Sequence, residues 1–174
     1  GDLDKEGLGT LILGTTNGYT GTTDVNGGTL QLTGSTAAAS AVTVNTGATL
    51  SGTGTANGLV TSLGGTVSPG VAAPGILNTG NLCLNAASTF AAQLNGTTVG
   101  SGYDQLNVTG TVALSGNLSV TLGYTPNIGQ TFTIIANDGT DPVSGTFNAL
   151  AEGALVVGGG ETFQLSYVGG TGND

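Results

Sequence analysis

The sequence predicts an all-β fold: a parallel β-solenoid (β-helix) of short strands with a more irregular C-terminal β capping module. Three observations lead to this prediction. Glycine supplies 34 of the 174 residues, only 6% of residues are charged, and one short strand unit returns many times. Disordered chains combine low hydrophobicity with high charge density. Here the mean hydropathy is positive, at +0.24, so the glycines indicate turns between strands.

The repeated unit alternates apolar and polar residues between boundaries of glycine or asparagine. Alternation is the period of a half-buried strand, and Gly and Asn tolerate the positive φ of a corner. The first two copies, 9–14 and 28–34, start 19 residues apart, and repeats near 20 residues are typical of a solenoid. Looser copies follow at 47–52, 65–70, 81–85, 110–116 and 116–123.

An antiparallel sandwich remains the alternative fold, because Asn-Gly pairs favour two-residue hairpin turns. Such pairs begin at Asn17, Asn26, Asn57 and Asn95. The segments between them repeat one another, which favours the solenoid. With roughly 20 residues per coil we expect seven or eight coils and a rod about 35–40 Å long, since strands stack about 4.8 Å apart.

The chain is expected to divide into two parts. Residues 1–100 are predicted to form the solenoid repeats, and residues 101–174 a C-terminal β module that continues or caps them. In this second part we expect longer strands at 118–122, 131–135 and 162–168, and most of the aromatic residues lie there. Bulky side chains suit a layer that covers the last coil. Residues 35–41 are expected to form a loop or a single helical turn, because the segment is too short for a stable helix.

The charged residues exclude several classes of function. The chain has ten Asp and Glu, one Lys and neither Arg nor His, for a formal net charge of −9. A single cation cannot neutralise a row of phosphates, so we expect no nucleic-acid binding. No apolar run is long enough to span a bilayer, so we expect no membrane insertion by this segment. Catalysis by His, by an Arg clamp or by a Ser-His-Asp triad is impossible.

Cys83 lies between Leu82 and Leu84, so alternation predicts an outward thiol if the leucines point inward. A single cysteine allows no internal disulfide. No cation lies near Cys83 in sequence to stabilise a thiolate, so we expect no nucleophilic role. An intermolecular disulfide stays open. The chain starts with acidic residues and no apolar signal-peptide core, so it is either cytosolic or a mature or excised segment, and its composition favours the second.

Residues 5–32 resemble a known family. The run Lys5-x-Gly7-x-Gly9-Thr10-Leu11-x-Leu13, with Tyr19-Thr20-Gly21 and Gly28-Thr29-Leu30-x-Leu32, resembles the autotransporter-associated β-strand repeat of large bacterial surface proteins. Residues 103–110 and 167–174 are similar to the end region of such passengers. The resemblance implies a right-handed β-solenoid, export, and an extracellular or cell-surface location. It implies no catalytic residue, because the motif is structural.

The ends of the solenoid are the first candidate site. With repeats starting at Gly7 and no capping element before it, a terminal coil exposes unpaired backbone groups and an apolar cross-section. We therefore predict self-association by end-to-end stacking or strand addition. The residues predicted at the joint are Leu3, Leu11, Leu13, Phe163, Leu165 and Tyr167. The alternative is that flanking sequence supplies the cap.

Carboxylates are the second candidate site. Asp138 and Asp141 could bind Ca²⁺ or flank a glycosidic bond, but the Asn, Asp, Gly and Pro of 137–142 are also typical of a tight turn, which we favour. Asp174 ends a single Gly-Gly-x-Gly-x-Asp sequence, whereas calcium-bound β-rolls stack several copies. We predict no catalytic or cofactor-binding residue, and calcium is the only metal that these three aspartates suggest.

Three classes of function compete. The first is a non-enzymatic, extracellular structural protein, a cell-surface or fibre-forming subunit that associates with itself. The second is an adhesin that binds surface glycans or matrix. The third is a glycan-active β-helix enzyme, which is disfavoured because lyases of that type resemble one another in using Lys or Arg as the base, and only Lys5 is present. We favour the structural protein.

Overall fold

The computed structural model describes residues 1–38, 40–139 and 141–169, and these residues form strands, turns and irregular segments without a helix. None of them therefore belongs to a helix that could cross a membrane. The strands are β1 (Leu3–Lys5), β2 (Thr10–Leu13), β3 (Thr23–Val25), β4 (Gly28–Leu32), β5 (Val42–Asn45), β6 (Ala48–Gly52), β7 (Thr55–Ala56), β8 (Val60–Leu63), β9 (Thr66–Pro69), β10 (Ile76–Thr79), β11 (Leu82–Leu84), β12 (Thr89–Leu94), β13 (Gln105–Val108), β14 (Val112–Leu114), β15 (Asn117–Leu122), β16 (Ile135–Asn137), β17 (Val143–Gly145), β18 (Leu155–Gly158) and β19 (Glu161–Gln164).

Three stacked sheets contain seventeen of the nineteen strands in the described part of the chain. The first sheet has the order β1-β3-β5-β8-β11-β14-β17, the second β2-β4-β6-β9-β12-β15, and the third β7-β10-β13-β16. Neighbouring strands within these sheets run parallel. The chain passes from sheet to sheet and returns one coil further along. This architecture confirms the predicted parallel β-solenoid.

The Asn-Gly pairs do not form the hairpins of the alternative sandwich. Across the described ranges, β18 and β19 form the single antiparallel pair of strands, joined by Gly159 and Gly160. Both glycines have positive φ, at 58° and 89°, as two-residue hairpin turns require. The hairpin thus uses Gly-Gly, and the sandwich alternative is wrong.

The register shows how the coils change along the rod. One ladder of the first sheet joins residues 3, 23, 42, 60, 82, 112 and 143. Successive members are 18 to 22 residues apart as far as residue 82, and 30 or 31 apart beyond it. Seven rungs agree with the predicted seven or eight coils. The extra length lies in two irregular segments, 95–103 and 123–134.

Inward ladders of apolar side chains form the core. The second sheet contributes one such ladder, Leu11, Leu30, Leu50, Val67, Phe90 and Leu118. Its four middle members are fully buried, and its two end members are half-buried. Complete burial of such a side chain stabilises a fold by about 1.5–3 kcal/mol. Most of the favourable energy of the rod therefore lies between its first and last coils.

Outward ladders are polar and mostly uncharged. Thr10, Thr29, Thr49, Thr66 and Thr89 form a threonine ladder on the second sheet. β-branched side chains suit this pleated, half-exposed surface. On the first sheet the half-exposed Cys83 stacks between Thr61 and Ala113, while Leu82 and Leu84 are buried. The predicted outward thiol is confirmed.

The repeated unit occupies two different sheets. The copies at 9–14, 28–34, 47–52 and 65–70 supply β2, β4, β6 and β9 of the second sheet. The looser copies at 81–85 and 110–116 supply β11 and β14 of the first sheet. Alternation alone could not distinguish the faces, because every face of the solenoid needs the same inward apolar period.

The solenoid starts earlier than the repeat motif predicts. β1 precedes Gly7 and pairs with β3, so its three residues, Leu3–Lys5, belong to the first rung. The prediction that the solenoid starts at Gly7 is wrong. The short, charged sequence Leu-Asp-Lys hides this strand because it shows little of the expected apolar alternation.

Residues beyond 100 both continue the stack and cover it. Strands β13 to β17 extend the three sheets, and β18, which pairs with β19, packs beside β15. The predicted strand at 118–122 lies within β15. Residues 131–134 are irregular, and of the predicted strand at 162–168 only residues 162–164 lie in a strand, β19. The division into solenoid repeats at 1–100 and a C-terminal module at 101–174 stays a prediction. Residues 35–38 form a bridge and a turn, in agreement with the expected loop, and Ala39 lies outside the described residues.

Candidate functional site

The first rung exposes a strand edge. In the described residues β1 pairs with β3 and β2 pairs with β4, so each has one partner strand. Leu3, Leu11 and Leu13, three of the residues predicted at the joint, lie on these strands and are half-buried. Ile12 alternates with them on the outer face and is 57% exposed. The rung therefore offers both backbone groups and apolar side chains to another strand.

Lys5 fills an inward position of the first rung. It lies in register with Val25 and is only 6% exposed. Its Nζ donates hydrogen bonds of 2.8 Å to the carbonyl oxygens of Glu6, Gly7 and Gly27. A buried ammonium is stable only when its donors are satisfied, and three carbonyls satisfy all three. Lys5 thus ties the first coil to the second instead of facing solvent.

Polar side chains stack beside this end of the rod. Asn26 donates to Glu6 Oε1 and accepts from Asn45 Nδ2, both at 2.7 Å, so three consecutive coils share one hydrogen-bonded ladder. Asp4 and Asp24 are neighbours on the outer face of the first sheet. The acidic side chains make the corner of the first rung polar, whereas the interior of the rung is mainly apolar.

The other predicted joint residues lie at the opposite end of the solenoid, packed inside the cap. Leu165 and Tyr167 pack against the core cluster. Phe163 contacts Phe132 edge-to-face, with ring centroids 6.1 Å apart. The structure therefore groups Leu3, Leu11 and Leu13 at one end and these three residues at the other. Their predicted role in self-association stays a prediction.

Tyr167 fastens the cap with its hydroxyl. The oxygen accepts from Phe147 N at 2.9 Å and donates to Leu150 O at 2.7 Å. Its ring lies 6.2 Å from that of Phe147, which in turn stacks on Phe90 at 6.3 Å. Burial raises the pKa of the Tyr167 hydroxyl, with a smaller contribution from the Glu152 carboxylate. The hydroxyl remains a donor at neutral pH and keeps both bonds.

Asp104 is a buried carboxylate that the sequence analysis missed. Its side chain is completely buried and accepts hydrogen bonds of 2.8 Å from Gly75 N and Gln93 N. Burial raises its pKa, and the two backbone N–H donors oppose that rise. The carboxylate joins two successive coils and its role is structural. The sequence offered one signal for this residue. Asp104 directly precedes a strand, and no cation lies nearby in sequence to pair with it.

The calcium candidates Asp138 and Asp141 lie between β16 and β17. Asp138 N donates to Asn137 Oδ1 at 3.1 Å, and Asn137 Nδ2 donates to the carbonyl oxygen of Asp141. The described residues contain no group of three or more His, Cys, Asp or Glu that could hold a metal ion. Asp174 lies outside the described residues. Calcium binding by these aspartates stays an alternative to the favoured turn, and the absence of a catalytic role stays a prediction.

Stacked, in-register ladders bonded mainly through the backbone define this chain as a parallel β-solenoid of the repeat class. Residues 3–32 match the family model for the passenger-associated-transport-repeat, which confirms the repeat that the sequence resembles. The match covers β1 to β4, including the rung that contains Lys5 and Leu11. Comparison with curated proteins and with solved structures gave no match.

Proposed function

We propose that this chain is a non-enzymatic structural segment of a secreted or surface-displayed passenger, and that its first rung receives a strand from a second copy. The unpaired edges of β1 and β2 carry this proposal, since an edge strand is a template for another chain. The match to a passenger repeat supports an extracellular or bacterial cell-surface location.

Chemistry at the first rung supports a structural role. Lys5 is the only side chain in the sequence that is always cationic at neutral pH, and its Nζ is bonded to three backbone carbonyls. A base must reach the proton that it abstracts, so an ammonium held in this way is unsuited to the lyase mechanism considered above. The role that remains for this rung is pairing.

Geometry also gives the pairing a direction. At the far end β18 of the hairpin packs beside β15, the last strand of the second sheet, without pairing with it. A segment that covers a sheet edge hinders another strand from reaching it. We therefore expect two copies to meet through their first rungs rather than by a repeated head-to-tail stack.

Analytical ultracentrifugation over a range of concentrations tests this proposal. The wild-type chain should show a monomer–dimer equilibrium. Leu11→Lys places a charge among the inward apolar side chains of the first rung, so this variant should be monomeric. Ile12→Lys places the same charge one residue away on the outer face and serves as the matched control, which should still dimerise. A wild-type chain that stays monomeric at millimolar concentration contradicts pairing with a second copy.

Glycan binding, the adhesin alternative, remains a separate prediction. Retention of the monomeric Leu11→Lys variant on a glycan array would support it, because that variant separates ligand binding from self-association. No retention of either the variant or the wild-type chain would count against an adhesin.

A further inference from the structure

A partly open pocket of about 780 Å³ lies beside the last coil. Its floor is formed by Leu118 and Val120 of β15 and by Ile135 of β16, and its roof by Phe163 and Leu165. The irregular segment 126–134 forms one side. Apolar ligand sites in proteins have volumes of about 300–1,000 Å³ and are lined mainly by hydrophobic and aromatic side chains.

The cavity interrupts the core ladders. Phe90 and Ala92 of β12 are buried, but Leu118 and Val120, their partners in the next rung, are only half-buried. The last coil spans 31 residues between Val112 and Val143, and its irregular segment 126–134 borders the pocket. The lining is more apolar than polar, as in sites that bind apolar ligands.

Charge restricts what the cavity can bind. The only cationic side chain of the sequence is Lys5, which is bonded to carbonyls in the first coil, at the other end of the rod. Glu161 lies at the cavity wall, and the formal net charge is −9. A carboxylate or sulfonate buried here would meet no compensating charge, which makes its desolvation costly. An uncharged ligand avoids this penalty.

One fixed polar group is available to orient such a ligand. Gln130 lines the cavity, and its Oε1 accepts hydrogen bonds from the Tyr124 hydroxyl at 2.9 Å and from Asn127 N at 3.3 Å. These bonds hold the amide in place, so its nitrogen can serve as a donor to a hydroxyl or carbonyl oxygen of the ligand.

We infer that the pocket beside the last coil is a binding site for an uncharged apolar molecule with at most one or two hydrogen-bonding groups. The site is separate from the first rung, and its occupancy does not depend on self-association.

Titration with two fluorescent probes tests this inference. The neutral probe N-phenyl-1-naphthylamine should bind the full chain with saturation at one molecule per chain. The anionic probe 8-anilinonaphthalene-1-sulfonate, of similar size, should bind at least tenfold more weakly. Binding that does not saturate, or equal affinity for the two probes, overturns the inference.

Three variants locate the bound probe. Leu118→Trp fills the cavity from its floor and Leu165→Trp from its roof, and each should weaken binding of the neutral probe at least tenfold. Ser119→Trp places the same side chain on the exposed outer face of β15 and should bind as the wild type does. The neutral probe should also raise the melting temperature of the wild type and Ser119→Trp only. If both filled variants bind as the wild type does, or if all three variants lose binding equally, the cavity is not the site.

Discussion

The carboxylate of Asp104 accepts a hydrogen bond from the backbone nitrogen of Gly75, 29 residues earlier, at 2.8 Å. Its second oxygen accepts from Gln93 N at the same distance. Two coils are thus joined through one side chain. Because the group is completely buried, both donors depend on it.

Replacement of Asp104 should destabilise the fold. Asp104→Ala leaves two buried N–H groups without their acceptor, and an unsatisfied buried group costs about 1–3 kcal/mol. Asp104→Asn keeps one acceptor but turns an NH₂ toward the other donor, so it should also lose stability. Urea unfolding monitored by circular dichroism measures both changes. Asp24→Asn, at a half-exposed position of the outer ladder, is the control and should change stability by less than about 0.5 kcal/mol.

The pH dependence of stability should report the same group. Burial raises the pKa of Asp104 in the folded state above its unfolded value, near 3.9. The folded chain then binds more protons than the unfolded chain between these two pKa values. This contribution to stability is complete below about pH 3.9 and is lost as the pH rises through the folded pKa. Asp104→Asn should remove this slope, and an identical slope in both proteins would assign it to other carboxylates.

Lys5 should stabilise the first coil locally. Lys5→Met keeps the apolar stem but removes three hydrogen bonds from a charged donor, and such bonds contribute about 1.5–3 kcal/mol each at most. We expect amide exchange to accelerate in β1 and β2 and to change little in β9 and β12. Ile12→Thr, an exposed change in the same coil, is the control. Uniform acceleration along the rod would contradict a local role.

Substitutions at two glycines distinguish the energetic cost of backbone strain from that of a steric collision. Gly47 and Gly52 both have positive φ, at 80° and 119°. A Cβ at Gly47 would meet nothing, whereas a Cβ at Gly52 would collide with the carbonyl oxygen of Leu32. Gly47→Ala should therefore cost about 1–2 kcal/mol from conformation alone. Gly52→Ala should cost clearly more, and equal losses in urea unfolding would remove the contact as an explanation.

Phe147 should be the most sensitive residue of the cap. It is 2% exposed, stacks on Phe90 and contacts Tyr167, so it joins the core to the C-terminal residues. Phe147→Ala should cost about 3–5 kcal/mol. Phe163→Ala, at a half-buried position, should cost less. Thermal unfolding compares the two variants, and a smaller loss for Phe147→Ala would show that the cap does not depend on this stack.

Local alternation predicted the regular part of this fold well. The Gly-Thr-Leu units predicted the positions of β2 and β4, and the two leucines beside Cys83 predicted the orientation of its thiol. Such signals are short-range and repeat once per coil. Asp104 and Lys5 could not be assigned in this way, because their bonds reach Gly75 and Gly27, 29 and 22 residues away. The pocket was also unpredictable, since it depends on where residues 126–134 and 161–167 pack beside the last coil.

The position of Lys5 leaves the outer surface with side-chain charges of one sign. Every other charged side chain in the sequence is Asp or Glu. Copies of the rod should therefore repel one another sideways in dilute buffer. That repulsion extends over a Debye length of about 30 Å at 0.01 M salt and about 8 Å at 0.15 M. Lateral packing of these rods should increase with ionic strength, so saline surroundings would favour dense arrays.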